Sequence, residues 1–237
     1  GTGRAGVGAE NFIDLIDEPG AEDDLELVAG HKLALDQVDV VDAFLVDLIV
    51  ILQHDAQPCC AVGAGHDVVL AAGEELGRYV AARGLRSAGL LWVTEDDVAV
   101  GLRRKEGVLR GLAAGGVTDV RNYLADFTYQ TAHTVARRVL QQPDRPQILL
   151  CATDRIAYGV YKAARELGLR IPQDISVTGS GGYDTSELLT PPLTSILFDA
   201  EAEACICADT VLRMLRGEPV SKTQLIGYRF VEGGSVL

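Results

Sequence analysis

The chain has 237 residues, 48% hydrophobic and 23% charged, which is the composition of a globular protein able to bury a core. Its net charge of −13 and lack of a basic patch make it a poor binder of nucleic-acid phosphates. No apolar run reaches the roughly 18 residues of a membrane span. The opening GTGRAGVGAENF also lacks the apolar core of a secretory signal, so we expect a cytoplasmic protein without membrane contacts.

The acidic residues concentrate in the first 57 positions, which hold 13 Asp or Glu against Arg4 and Lys32, a balance of −11. The opening GTGRAG matches G-x-G-x-x-G formally, but no strand precedes it. The glycines therefore indicate an irregular terminus rather than a nucleotide site. The pattern that follows predicts a helix at residues 33–41 and buried strands at residues 44–52 and 58–62.

Beyond residue 73 the hydrophobic pattern becomes regular. Helices are predicted at residues 74–83, 98–114, 129–141, 153–168 and 200–215. Strands are predicted at residues 88–93, 118–125, 148–152, 175–178, 194–198 and 224–231. This alternation predicts an α/β fold with a parallel sheet and helices on both faces.

The stretch from residue 149 to 196 is the most informative part of this pattern. Thr153 follows a buried strand at a helix N-cap position, Asp154 lies in the first turn, and Gly168 ends the helix. A Gly-rich loop then follows the next strand. Both strand ends would lie at the carboxyl edge of a parallel sheet, where open α/β sheets bind small molecules.

The cysteines indicate a reducing compartment because their number is odd and they lie in apolar segments: Cys59, Cys60, Cys151, Cys205 and Cys207. We expect buried thiols. Adjacent strand residues point to opposite faces, so Cys59 and Cys60 with His66 make a poor metal site. We expect no metal and no cofactor.

Several segments in family order resemble the effector-binding domain of the LacI/GalR transcription regulators. They are ELGRYVAARGLRSAGLL, RRKEGVLRGL, ADFTYQTAHTVARRVL, ATDRIAYGVYKAARELGLRIPQDISVTG, LLTPPLTSI and VEGGSV. The resemblance implies a periplasmic-binding-protein-like fold of two Rossmann-like lobes, with the first lobe short or incomplete. The expected division is an acidic leader (1–42) that matches no family segment and is either poorly ordered or part of a lobe, a remnant of the N-terminal lobe (43–72) and an effector-binding and dimerisation lobe (73–237). The helix at 199–216 is expected to pack toward the first lobe.

The resemblance also assigns effector-binding roles to individual residues. Arg104 aligns with an arginine that holds effector hydroxyls or a carboxylate; the alternative is a solvated helix arginine. Phe127 falls where an aromatic ring packs against a sugar; the alternative is a core position. Thr153 and Asp154 align with a polar pair at the pocket wall, although Asp154 could instead only stabilise the helix start.

One position departs from the family pattern. Counting back from Pro191, the usual effector-binding aspartate falls on Gly181 in the loop at residues 179–184. The missing carboxylate implies another effector contact, from Tyr183, Asp184 or backbone N–H groups. The form of this loop is similar to that of sucrose- and disaccharide-responsive members.

The family places its dimer interface on the helix after Thr153 and on the segment before the double proline. The corresponding candidates here are Tyr158, Tyr161, Leu188 and Leu189. The family's helix-turn-helix head has no counterpart before residue 58, since no recognition helix rich in Arg or Lys is found there. We therefore expect a fragment, a degenerate copy or a misread start, which reaches operator DNA only through a head absent from this sequence.

The expected function is thus that of a sugar-sensing, homodimeric repressor domain. A sugar-binding protein of a transport system is the alternative, against which the missing signal sequence and the cysteines argue. No catalytic residue is expected, because the chain lacks G-x-S-x-G, P-loop and H-E-x-x-H motifs and its histidines are scattered.

Overall fold

The computed structural model describes residues 53–54, 57–58 and 61–237, without the side chains of residues 53–54, 57–58, 61–63 and 184. The acidic leader, the predicted helix at 33–41, the predicted strand at 44–52 and the Cys59–Cys60 pair lie outside the described residues. The chain divides into two compact units, and the described part of the first is the antiparallel pair β1 (Gln53–His54) and β2 (Gln57–Pro58). All elements from Ala61 onward belong to the second unit.

The second unit alternates strands and helices. Its strands are β3 (Ala61–Gly63), β4 (Ser87–Trp92), β5 (Asp119–Leu124), β6 (Ile148–Cys151), β7 (Ser176–Thr178), β8 (Ser195–Phe198), β9 (Thr223–Leu225) and β10 (Tyr228–Val231). Its α-helices are α1 (Gly65–Ala82), α2 (Lys105–Ala114), α3 (Tyr129–Leu140), α4 (Asp154–Glu166) and α5 (Ala200–Leu215). A π-helix at Val98–Arg104 leads into α2, and a 3₁₀ turn covers Asp184–Leu188.

The central sheet has the strand order β5-β4-β6-β7, and all its pairs are parallel. Parallel bridges at Thr178–Thr194 and Gly181–Leu197 place β8 beside the end of β7, and β10 pairs antiparallel with β8. The predicted α/β fold with a parallel sheet is confirmed.

Helices cover both faces of this sheet. The chain moves from β4 outward to β5 through α2, then back to β6 and β7 through α3 and α4. Because such crossovers are right-handed, the change of direction puts α2 on one face and α3 with α4 on the other. The helices pack in the same groups, α1 on α2 and α3 on α4. The buried residues of β4 and β6 form the centre of the core.

Two predicted helices differ from the structure at their boundaries. The first begins at Gly65 rather than at residue 74, so Gly73 lies inside α1. A Cβ at Gly73 would lie only 3.0 Å from Val108 N, which shows that this glycine permits close packing on α2 rather than a helix start. The second, predicted at 98–114, is a π-helix over its first seven residues.

The predicted final strand at 224–231 is also wrong as a single element. The strand is interrupted at Ile226 and Gly227, so that β9 pairs parallel with β3 while β10 pairs antiparallel with β8. The two halves thus serve different sheets, which a continuous apolar pattern does not reveal.

The described cysteines are Cys151, Cys205 and Cys207, of which Cys151 and Cys207 are buried. Cys151 lies in the core, where burial raises its pKa well above the ordinary value, so the thiol stays protonated. Cys205 is exposed on α5, which corrects the expectation that the cysteines are buried.

Candidate functional site

Arg104 lies at the junction of the π-helix and α2, next to the carboxyl edge of the sheet. Its side chain is 1% exposed. One guanidinium nitrogen, Nη1, donates to the Ala152 carbonyl just after β6 at 2.7 Å, and Cζ lies 5.3 Å from the centre of the Phe198 ring. The alternative of a solvated helix arginine is therefore wrong.

The π-helix that carries Arg104 is held by two hydrogen bonds at Val100 in its first turn. Asp97 caps it by accepting from Val100 N at 2.7 Å, and Trp92 Nε1 donates to the Val100 carbonyl at 2.9 Å. Trp92 is fully buried at the end of β4. Single π-turns inside helices are frequent at functional sites, and this one sets the direction from which Arg104 enters the sheet edge.

Thr153 caps α4, as its position in the sequence predicts. Its Oγ1 accepts from Ile156 N at 3.4 Å, and the residue is buried at the end of β6. The neighbouring Ala152 carbonyl binds Arg104. Thr153 therefore lies beside the arginine at the carboxyl edge, where a pocket wall was expected.

Asp154 is a fully buried hydrogen-bond acceptor. Oδ2 accepts from Gly182 N at 2.9 Å, Tyr183 N at 3.0 Å and Ser186 Oγ at 2.7 Å, while Oδ1 accepts from Ser195 Oγ at 2.6 Å. Burial raises the pKa of this carboxyl, and the hydrogen bonds oppose that shift. These contacts favour the structural alternative for Asp154, because its oxygens hold the Gly-rich loop rather than facing an open cleft.

The same contacts occupy one candidate for the missing effector ligand. The N–H groups of Gly182 and Tyr183 donate to Asp154, and Gly181 N donates to the Ile196 carbonyl at 2.7 Å. Backbone N–H groups of these three residues are therefore already engaged. A backbone effector contact at Gly181, Gly182 or Tyr183 would have to replace one of these bonds, and it stays a prediction.

The structure brings Gly181 and Tyr183 together but leaves their effector role a prediction. Gly181 has φ +131°, and a Cβ there would meet only the Tyr183 ring, at 3.1 Å. That ring is half-buried and lies 6.4 Å from the Tyr158 ring. Asp184 begins the 3₁₀ turn, and its side chain lies outside the described part of the structure.

Phe127 lies in the loop after β5. In the sheet, β4 lies between β5 and β6, so this loop is not next to the end of β6 that contacts Arg104. Its ring is half-buried and packs against the core. The effector and core alternatives for Phe127 thus both stay open. The sequence pattern predicts Phe198 only as the end of a strand, whereas in the structure its ring lies against the Arg104 guanidinium.

The four dimer candidates line one open groove of about 730 Å³ on the outer side of α4. Leu188 is 80% exposed there, and Leu189 is half-buried. Tyr161 is almost fully buried, and its hydroxyl donates to the Pro191 carbonyl at 2.9 Å. It therefore stabilises the groove and offers little surface to a partner. Tyr158 OH lies 3.1 Å from Ser186 Oγ.

Two observations bear on other functions. Among the described residues, no group of three or more His, Cys, Asp or Glu is arranged to hold a metal ion. No helix in the described part of the chain is long and apolar enough to cross a membrane.

Residues 78–236 match the model of the periplasmic binding protein-like domain. The chain belongs to this family. It is 33% identical to the HTH-type transcriptional repressor PurR of Edwardsiella ictaluri over 138 residues, covering 57% of this chain and 40% of the relative. It is 26% identical to the HTH-type transcriptional regulator GntR of Escherichia coli over 189 residues, covering 79% of this chain and 56% of the relative.

Solved structures share the fold of this chain. The dimeric Lac repressor with an 11-residue C-terminal deletion superposes with a TM-score of 0.64 at 25% identity, covering 73% of this chain and 62% of that one. A LacI family regulator from Enterococcus faecium with bound ribose gives 0.63 at 20% identity, covering 71% and 63%. The resemblance to LacI/GalR effector-binding domains is confirmed. The chain spans about half the length of the curated relatives it matches.

Proposed function

We propose that this chain is the effector-sensing and dimerisation part of a LacI/GalR-type repressor and that it binds a small sugar-like molecule. The observation that carries the proposal is the buried Arg104 guanidinium at the carboxyl edge of the parallel sheet, beside Ala152, Thr153 and Phe198. A planar fork of donors over an aromatic ring suits a ligand with several hydroxyl oxygens. Regulator names among the relatives support this class of function over transport or catalysis.

The mechanism we propose is a shift between two conformations. An effector that binds one arrangement of the protein better increases its population, and the attached DNA-binding head then has a different operator affinity. Such a head belongs to the HTH-type relatives by name, and for this protein it is part of the proposal. A repressor acts in the cytoplasm, which is where we expect the chain.

The proposal is tested by ligand binding to the 237-residue chain. Sucrose, trehalose and ribose are titrated by calorimetry, with a thermal-shift assay as a second readout. We expect at least one of them to bind and to raise Tm, because a ligand that binds only the native state stabilises it. If every sugar in the panel leaves Tm and the calorimetric baseline unchanged, the sugar-sensor proposal is rejected.

Arg104→Lys tests the role of the guanidinium, with a sugar of this panel that binds the wild type. A lysine keeps the positive charge but loses the planar fork, so we expect Kd to rise at least about tenfold, the value of one hydrogen bond to a charged group.

Arg103→Gln is the matched control for this substitution. It removes the neighbouring, partly exposed cation, whose ion pair with Glu106 is 3.1 Å long, and should leave Kd within about twofold. Equal effects of the two substitutions would contradict a direct role for Arg104.

A further inference from the structure

Ser180 lies just beyond β7, at the carboxyl edge of the sheet, and its hydroxyl is buried. The residue is 1% exposed, and Oγ has no hydrogen-bond partner among the described residues. Burying a hydroxyl without a hydrogen bond costs free energy of folding. A native protein that keeps such a group at a strand end needs a reason for it.

The sheet ladder shows which face of the sheet this hydroxyl occupies. Gly179 N donates to the Thr194 carbonyl and Gly181 N to the Ile196 carbonyl, so the strand continues in register beside β8. A Cβ at Gly179 would collide with Asp154, so that position faces the start of α4. Side chains alternate along a strand, and Ser180 therefore points to the opposite face.

Phe198 shares that opposite face. Ser195 faces Asp154, because its Oγ donates to Oδ1, and three residues further along β8 the alternation turns Phe198 the other way. The Arg104 guanidinium lies over the Phe198 ring and against the Ala152 carbonyl. One face of the sheet edge thus collects a buried cation, an aromatic ring and the Ser180 hydroxyl.

We propose that Ser180 Oγ is a ligand-recognition group that hydrogen-bonds a hydroxyl of the bound sugar next to Arg104 and Phe198. This inference rests on the proposed function and names a specificity-determining residue for it. The hydroxyl donates and accepts, so it matches a sugar hydroxyl in either role. Small-molecule sites enclose most of their ligand and fix it with few polar groups, which fits a hydroxyl held inside the protein.

The test is Ser180→Ala in the 237-residue chain, with sucrose, trehalose and ribose as probes in calorimetry. For a sugar that binds the wild type, we expect Kd to rise roughly three- to tenfold, the value of one neutral hydrogen bond. In the absence of sugar, Tm should rise by about 2–4 °C, because an unpartnered buried hydroxyl is removed. A fall in Tm would show that Ser180 has a structural partner and would overturn the assignment.

Thr178→Val is the matched control. Thr178 is also fully buried with no partner for Oγ1 among the described residues, but it lies within β7 rather than beyond its end. The substitution should raise Tm without changing Kd. An equal loss of affinity in both variants would show that the effect of Ser180→Ala comes from the strand and not from a ligand contact.

A singly deoxygenated series of the bound sugar isolates the contact. The analogue that lacks the contacted hydroxyl should bind the wild type and Ser180→Ala equally weakly, so the two losses are coupled and not additive. Additive losses for every analogue, or an unchanged Kd for Ser180→Ala, reject the inference while the sensor function stands. A wild type that binds none of the sugars rejects both.

Discussion

Asp154 and Ser180 illustrate how far single residues could be read from the sequence. The N-cap of Thr153 was predictable because the cap is a local interaction between residues three apart. The four hydrogen bonds of Asp154 were not, since their donors lie 28 to 41 residues away in the chain. Ser180, between two glycines, has the sequence character of a linker, and only the ladder with β8 shows its burial.

Replacing Asp154 tests its role as the anchor of the Gly-rich loop. Asp154→Ala leaves two backbone N–H groups and two hydroxyls buried without their acceptor, and each such group costs about 1–3 kcal/mol. We expect the free energy of unfolding in urea to fall by more than about 3 kcal/mol.

Asp126→Ala provides the comparison for Asp154. The Asp126 carboxylate accepts from Thr128 N at 2.8 Å and Thr131 Oγ1 at 2.9 Å, but it is exposed, so water replaces it as the acceptor. The loss should be about 1 kcal/mol or less. Similar losses for the two variants would show that the buried contacts of Asp154 add little.

At the scale of elements, the sequence predicted where helices and strands occur but not how closely they approach. The predicted bounds of the helix at 200–215 and of most strands agree with the structure within one or two residues. They can be predicted because the spacing of apolar residues and the glycines that end helices are local signals. The sequence does not reveal the start of α1, because Gly73 has the character of a helix boundary although it lies inside α1. The π-helix was missed because its hydrophobic pattern does not differ enough from that of an α-helix.

The α1–α2 contact gives a test at this scale. Gly77 faces α2, where a Cβ would lie 2.8 Å from Leu112 N, and Gly111 faces α1, where a Cβ would lie 2.7 Å from Arg78 N. Replacing an exposed helix glycine with alanine normally raises the free energy of unfolding by up to about 1 kcal/mol. Here we expect Gly77→Ala or Gly111→Ala to lower the free energy of unfolding by about 2 kcal/mol or more, since the helix backbones must separate.

Gly227→Ala is the control for these glycines. Its Cβ would have nothing within 4 Å, so the substitution should change the free energy of unfolding by less than about 0.5 kcal/mol. A stabilising effect of Gly77→Ala in thermal or urea unfolding would contradict the close packing.

For the whole molecule, the order of motifs carried more information than any single one. The family match covers residues 78–236, which contain every segment of the resemblance apart from the few residues before Arg78. The charge balance separated the acidic first 57 residues from the nearly neutral remainder. A single chain does not show its oligomeric state. The proposed homodimer is argued from the groove that is lined by Tyr158, Tyr161, Leu188 and Leu189.

Leu188→Glu tests the proposed homodimer. A glutamate in place of an 80% exposed leucine removes apolar surface that the partner would cover, in a groove that is also lined by Lys162, Arg165 and Arg170. We expect the dimer to dissociate at concentrations where the wild type is dimeric, as measured by analytical ultracentrifugation.

Leu215→Glu is the control, because Leu215 is 72% exposed at the end of α5 and does not line the groove. It should sediment like the wild type. A Leu188→Glu chain that remains dimeric would place the interface elsewhere.

Trp92 is the sole tryptophan of the chain, and its indole N–H bonds the π-helix four residues before Arg104. The protein therefore carries its own optical reporter at the candidate site. Because no other tryptophan is present, the fluorescence of an excited indole comes from Trp92 alone. Its emission depends on its burial away from water and on the hydrogen bond to the Val100 carbonyl. We expect a ligand that moves Arg104 to change this bond and with it the Trp92 emission, so titrations and stopped-flow kinetics would follow the site without any label.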